Sequence, residues 1–288
     1  TGNSFNKETG ELSAKNTIAL NQKSAEELEN ALSSNDWKIS DLETKPQTQN
    51  PYPPFITSTL QQEGIRKLRM NSTQIMRVAQ TLYENGHITY MRTDSINLSS
   101  EALNASRKVI KQKYGKEYLP NSPRVYKSKV KNAQEAHEAI RPAGSIFKDP
   151  KQLHSTLTDV EYKVYDLIWK RTVASQMNSA KIEQTKLQIS DGDYIFIANG
   201  KTIVFPGFLR AYVEGSDDPN ADLDDMERTL PKVAVGDSVE WDDILPKQHF
   251  TKPISRFTEA SLVKELESLG IGRPSTYASI MKKIQDKG

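Results

Sequence analysis

The sequence predicts a multi-domain α+β protein in which two β-patterned stretches flank a basic helical module and a further helical stretch follows. Three observations carry this reading. Apolar residues recur at helical spacing over 58–114 and 158–176, and strand patterning occupies 180–213. A polar stretch with four prolines, Lys45 to Pro54, separates the first helical run from what precedes it. A chain of 288 residues has room for two or three such modules.

Residues 15–45 read strand, helix, strand. Asn16 to Leu20 favours a strand, Ser24 to Glu27 forms a capping box for a short helix to Leu32, and Trp37 to Thr44 returns to strand. Residues 58–85 predict two helices. Ser58 with Gln61 suits the start of the first, and Asn71 or Ser72 the start of the second. Gly86 stands where a helix ends, and His87 to Met91 favours an extended strand. Helix, turn, helix, strand is the order of a winged helix-turn-helix, and an ordinary helical hairpin is the alternative. Ser99 caps a helix closed by Gly115. Thr158 with Glu161 caps another, whose Tyr162, Tyr165, Ile168, Trp169 and Thr172 share a core-facing side. Beyond it, Asp191-Gly192 and Asn199-Gly200 read as hairpin turns. Glu214 to Glu227 is an acidic excursion, and 232–245 regains strand character. Thr258 opens a helix through Leu269. Gly270 to Ser275 is a turn, and Pro274 suits the first position of a last helix through Asp286.

The net charge of +2 is unevenly spread. Residues 1–54 carry 5 basic against 8 acidic side chains, 55–180 carry 20 against 11, and 181–288 carry 14 against 18. The basic middle suggests a polyanionic partner, with a solvated cationic surface as the alternative. No run of 18 apolar residues is present to span a membrane, and there is no cysteine for a disulfide or a thiolate metal site. The chain starts at Thr1 without an initiator methionine, which suggests an excised piece.

Three segments could carry chemistry. In Ile88-Thr-Tyr-Met-Arg-Thr-Asp-Ser95, an extended backbone would put Tyr90 and Arg92 on one face. A phenol titrates near 10 and is a weak nucleophile at neutral pH. A guanidinium nearby favours the phenolate and holds phosphate, so Tyr-x-Arg suits attack on a phosphodiester. Three residues alone do not single out one tyrosine of 11. In Glu135-Ala-His-Glu-Ala-Ile-Arg-Pro142, a helix would place His137 and Arg141 on one face as phosphate donors. The alternative is a solvated charged face. In Gly272-Arg-Pro-Ser-Thr276, a helix start could receive an anion with help from Arg273, Ser275 and Thr276, or Ser275 could simply cap.

Together these segments resemble the type IA DNA topoisomerases, specifically the bacterial topoisomerase I branch. The resemblance rests on Pro54-Phe-Ile-Thr-Ser-Thr-Leu-Gln-Gln-Glu63, on the Tyr90 and His137 segments, and on Phe257-Thr-Glu-Ala-Ser-Leu-Val-Lys-Glu-Leu266 with Gly270-Ile-Gly-Arg-Pro-Ser-Thr-Tyr-Ala-Ser279. It spans nearly the whole chain. It implies a fragment of a toroid, with 1–54 and 180–250 as a discontinuous β-rich arch. Residues 55–179 would be the helical module bearing the tyrosine, and 251–288 the start of a single-strand-binding helical domain. It further implies that Tyr90 forms a 5′-phosphotyrosine and that Arg92 positions the scissile phosphate. His137 and Arg141 would contact DNA, and Arg273, Ser275, Thr276 and Lys287 would bind the single strand. The family has Arg where this chain has Lys287, so a bidentate contact is not expected there.

The implied activity is ATP-independent relaxation of negatively supercoiled DNA by a cytoplasmic, nucleoid-associated, monomeric bacterial enzyme. Its Mg²⁺ would be held by a Toprim domain outside this sequence. Asp222-Leu-Asp224 imitates the Toprim Asp-x-Asp but lacks the apolar strand that would place it, so no metal site is expected within the chain. By this reading the fragment alone binds DNA and does not relax it. A tyrosine recombinase or type IB topoisomerase would place His-x-x-Arg before the tyrosine, whereas His137 follows Tyr90 and stands four residues before Arg141. Topoisomerase III, reverse gyrase and a non-catalytic winged-helix DNA-binding protein are the remaining alternatives.

Overall fold

The computed structural model describes residues 6, 11–12, 18–32, 36–127, 137–191, 193–215, 228–248, 250 and 255–287. Two compact units emerge. One comprises Thr1–Pro46, Glu183–Thr202 and Met226–Arg256, and the other Gln47–Ile182, Ile203–Asp225 and Phe257–Gly288.

The first unit is built on a three-stranded sheet ordered β1-β2-β3, whose strands continue past the unit boundary. The strands are β1 (Lys38–Gln49), β2 (Ala180–Asp191) and β3 (Tyr194–Phe205). Pairings of Asp41 with Gln188 and Thr44 with Thr185 count in opposite directions, so β1 and β2 run antiparallel. The strand β1 runs past Thr44 through Lys45 and Pro46, because an edge strand tolerates a proline that cannot donate to a ladder. Trp37 is buried with its ring edge-on to Phe196, 4.9 Å between centroids. Helix α1 (Gln22–Leu32) is capped by Asn21, whose side chain accepts from the Ser24 amide, so the cap is not Ser24. Asn199 and Gly200 lie inside β3 rather than in a turn. A Cβ at Gly200 would sit 2.7 Å from Leu230 Cγ, so the glycine serves close approach. Residues 232–245 join β1 only through the Lys38–Ser238 bridge and its flanking amides instead of forming a strand.

The second unit holds the main core. Helices α2 (Thr57–Leu68), α3 (Ser72–Glu84), α4 (Ser100–Lys113) and α6 (Asp159–Ser175) enclose Phe55, Leu60, Ile75, Leu82, Ile110 and Ile168, all fully buried. A short α5 (Pro150–Leu153) precedes α6. Asn71, Ser99 and Thr158 cap α3, α4 and α6, each accepting a backbone N–H. Tyr165, Ile168, Trp169 and Thr172 are buried, and Tyr162 packs at the edge of the same core. Helix α2 departs from expectation at its start. Ser58 is not its cap, and Ile56 in the cap position offers no side-chain acceptor. The run His87–Met91 does not form the expected extended strand: the backbone bends at His87, Thr89 and Met91 and pairs only through the isolated Ile88–Pro142 bridge.

A buried ionic cluster ties α2 and α6 to residues 212–215. Glu63, fully enclosed, accepts from Tyr212 Oη at 2.5 Å and from the Gly215 amide at 3.0 Å, and pairs with Arg66 and Lys67. Arg171 pairs with Glu214, so the acidic excursion is pinned where it begins. Its continuation, with Asp222 and Asp224, lies outside the described residues.

Helix α7 (Glu259–Ser268), capped by Thr258, and helix α8 (Tyr277–Lys287) share a small apolar cluster of their own around Val263, Tyr277 and Met281. They meet α2 and α3 through polar pairs. Ser58 Oγ donates to Glu267 at 2.7 Å, and the Ser72 amide and hydroxyl both donate to Glu259.

Candidate active site

The Tyr90 segment is held by its backbone rather than by a sheet. Upstream, the Thr89 amide donates to Arg141 O, and Thr89 Oγ1 donates to Ala139 O at 2.7 Å. Downstream, Thr57 at the first turn of α2 donates its amide to Thr93 O, and its hydroxyl bridges Met91 O and the Thr93 amide. Between these anchors Met91 is buried, Tyr90 is half-buried and Arg92 is exposed.

The Tyr90 ring packs between two aromatics. Tyr83, from the last turn of α3, meets it edge-on at 5.3 Å, and the His137 imidazole is tilted against it at 5.3 Å. Tyr90 and His137 are therefore neighbours, although 46 positions (137 minus 90, less one) separate them in the chain. His137 is exposed and carries a ring able to donate to an anion when protonated.

His137 to Pro142 is extended, not helical. Ile140 bridges Phe55, and Pro142 bridges Ile88. What separates His137 from Arg141 is burial: His137 is exposed and Arg141 is enclosed. Arg141 is 6% exposed, and all five of its donors are taken. It donates to Glu138 from Nε and Nη2, to the carbonyls of Pro142 and Gly144 from Nη1, and weakly to Ser99. It has no donor to spare for a phosphate. Burial works against the charge on Glu138, but hydrogen bonds from Ser99 and Arg141 more than offset it and hold the carboxyl below its ordinary value.

The turn before α8 forms the other part of the site. Gly270 and Gly272 both take positive φ, and a Cβ on Gly272 would press on Ile280 and Tyr277. Arg273 and Ser275 are exposed, and Thr276 is half-buried. The Arg273 guanidinium lies back on the carbonyls of Gly270 and Gly272, and Thr276 Oγ1 accepts the Arg273 amide at 2.8 Å. Regular helix begins only at Tyr277, so Pro274 belongs to the turn, and Thr276 rather than Ser275 holds it. Lys287 is exposed at the far end of α8, about 15 Å along an 11-residue helix from this turn. It cannot share a phosphate with Arg273.

The two parts approach each other. The Tyr277 phenol is pushed up by burial and by the charges of Glu267 and Asp94, with Arg273 acting in the opposite direction. Asp94, four residues after Tyr90, thus lies within electrostatic reach of the Arg273 turn. Thr57, Tyr83 and Asp94 were not singled out from the sequence. Their only signals were a hydroxyl just after Phe55-Ile56, an aromatic in the last turn of α3, and an acid beside Tyr-x-Arg. Among the described residues no group of three or more His, Cys, Asp or Glu side chains is placed to hold a metal ion. Nor is any described helix long and apolar enough to cross a membrane.

Comparison with known proteins gives the family of the chain. A family model described as DNA topoisomerase matches residues 2–288. DNA topoisomerase 1 of Synechococcus elongatus is 52% identical over 289 residues, covering 100% of this chain and 32% of the relative. DNA topoisomerase 1 of Streptomyces coelicolor is 54% identical, covering 97% and 30%. The solved full-length topoisomerase I of Thermotoga maritima matches with a TM-score of 0.75 at 33% identity, covering 98% of this chain and 45% of that one. The chain spans about a third of the length of these curated relatives. With a match over nearly every residue and a half-buried tyrosine held beside a histidine, the chain belongs to the DNA topoisomerase family.

Proposed function

We propose that this chain is the tyrosine-bearing part of a type IA topoisomerase I, which relaxes negatively supercoiled DNA without ATP. The observation that carries this is the half-buried Tyr90 ring, wedged between Tyr83 and His137 on a doubly anchored segment, with exposed Arg92 two residues on. In the proposed step the Tyr90 oxygen attacks phosphorus and loses its proton. A tyrosine–phosphate bond forms as the phosphorus–O3′ bond breaks, and the departing 3′ oxygen takes up a proton. The 5′ phosphate stays on Tyr90, so the bond energy is kept and reversal reseals the strand. Arg92 offers a fixed positive charge to the phosphate oxygens, and His137 a further donor. The exposed Arg273, Ser275 and Lys287, with Thr276, are proposed to track the single strand, with Lys287 reaching a different phosphate from Arg273. Residues 251–288 are read as the start of a separate helical domain; α7 and α8 hold an apolar cluster around Val263, Tyr277 and Met281, while Ala278 of α8 packs on the main core. Mg²⁺ would be held by residues outside this chain. The chain alone is expected to bind DNA, chiefly single-stranded, and not to relax it.

The test uses full-length protein with Mg²⁺ and a 3′-labelled single strand, quenched in denaturant. Label is expected on the protein and absent from Tyr90→Phe. Transfer only from a 5′-labelled strand would reverse the polarity and overturn the reading.

A further inference from the structure

We infer that Thr57 is a positioning residue for Tyr90, its buried hydroxyl fixing the backbone from which Tyr90 and Arg92 project. This rests on Tyr90 being the nucleophile. Thr57 is fully buried, and its hydroxyl is used in both senses. It donates to Met91 O at 2.8 Å, with Thr93 O at 3.1 Å, and it accepts from the Thr93 amide at 2.9 Å. The Thr57 amide adds a third link, to Thr93 O at 2.9 Å. Only a short hydroxyl side chain both gives and receives at this reach.

The bonded groups flank Arg92 on either side. Each is buried, so losing the hydroxyl leaves the Met91 carbonyl and the Thr93 amide without their partner and lets the segment shift. The reach of the contact is also informative. Thr57 belongs to α2, and Ile56 before it supplies no side-chain cap. The free amide at the start of α2 is therefore satisfied by the Tyr90 segment itself. This couples the aim of the phenol to the position of α2. Thr89 provides the upstream counterpart, donating to Ala139 O and accepting from the Arg141 amide at 3.0 Å. Residues 89–93 are thus fixed at both ends, with the half-buried Tyr90 and the exposed Arg92 between the anchors.

A hydroxyl that only completes the core would cost stability when removed and nothing else. A positioning hydroxyl sets the rate of the chemical step at saturating DNA. The experiment compares Thr57→Ser, Thr57→Cys and Thr57→Val with wild type in the full-length protein. It measures adduct formation on a 3′-labelled single strand at saturating DNA, strand affinity by fluorescence anisotropy, and thermal unfolding. Thr57→Ser should stay within about twofold of wild type. Thr57→Val should lose about 10- to 100-fold in adduct rate with affinity within about twofold, the scale expected of a small misplacement of a reacting group. Thr57→Cys, a weaker donor in nearly the same volume, should fall between and decides the matter if the valine variant does not fold. A wild-type adduct rate in folded Thr57→Val or Thr57→Cys overturns the inference, as does a loss confined to affinity or one shared equally by Thr57→Ser. Tyr90→Phe in the same assay separates the two readings. If it still forms adduct, the assignment of Tyr90 fails and this inference with it. If it is inert while Thr57→Val is fully active, only the role of Thr57 fails.

Discussion

At Arg141 a guanidinium is enclosed with every donor occupied, whereas at Arg92 it faces solvent. The difference decides what each can do. Removing Arg141 leaves Glu138 charged, partly buried and short of its partner, together with two carbonyls that lose a donor. Arg141→Ala should therefore destabilise by about 2–3 kcal/mol in urea unfolding, and Arg141→Lys should not restore the lost forks. Arg92→Ala should unfold within about 0.5 kcal/mol of wild type while losing adduct formation. If Arg141→Ala folds normally and loses single-strand affinity, Arg141 belongs at the DNA interface after all.

At the scale of elements, α7 and α8 meet α2 and α3 through carboxylates. Burial pushes the Glu267 carboxyl above its ordinary value, although hydrogen bonds from Ser58 and Gln62 pull it the other way. Folded protein therefore binds this proton more readily than unfolded chain. Its contribution to stability is present below the ordinary carboxyl value of 4.5 and is lost as pH rises through the folded value. Protection of α7 amides in hydrogen exchange, corrected for the intrinsic rate, should thus rise as pH is lowered from neutrality toward 4.5. Glu267→Gln should hold the protected state at all these values and flatten the dependence. A pH dependence unchanged by Glu267→Gln would assign the effect to another group. The helices themselves were largely legible: Asn71, Ser99, Thr158 and Thr258 all cap where the local pattern put them. Three starts differ: α1 is capped by Asn21, the turn before α8 is held by Thr276, and α2 starts on a tertiary partner, which no local pattern encodes.

Across the whole molecule, the basic side chains are concentrated between residues 55 and 180, the stretch that carries Tyr90. Three exposed cations, Arg92, Arg273 and Lys287, are candidate phosphate contacts. Single-strand binding should weaken with salt with a logarithmic slope of about −2, roughly 0.7 for each phosphate contact. Arg273→Ala should lower that slope by about 0.7 in anisotropy titrations across a salt series. A slope unchanged by this substitution would remove Arg273 from the single-strand path.

The order of the long helices, most of their caps, the core-facing side of α6 and the likeness to topoisomerases were present in the sequence. Each depends on residues close together in the chain or on long identical stretches. The surroundings of individual side chains were not. Helical spacing linked His137 with Arg141, yet the backbone there pairs with Phe55 and Ile88; His137 ends beside Tyr90, whereas Arg141 is enclosed by Glu138 and the Pro142 and Gly144 carbonyls. Asn199-Gly200 has turn composition and lies inside a strand because Leu230 approaches it. Thr57 reads as one more helix-start residue until Met91 and Thr93 are seen to bond it. Local pattern records what a segment can form by itself, whereas partners distant in sequence decide which polar groups are consumed in holding the fold and which remain free to meet a substrate.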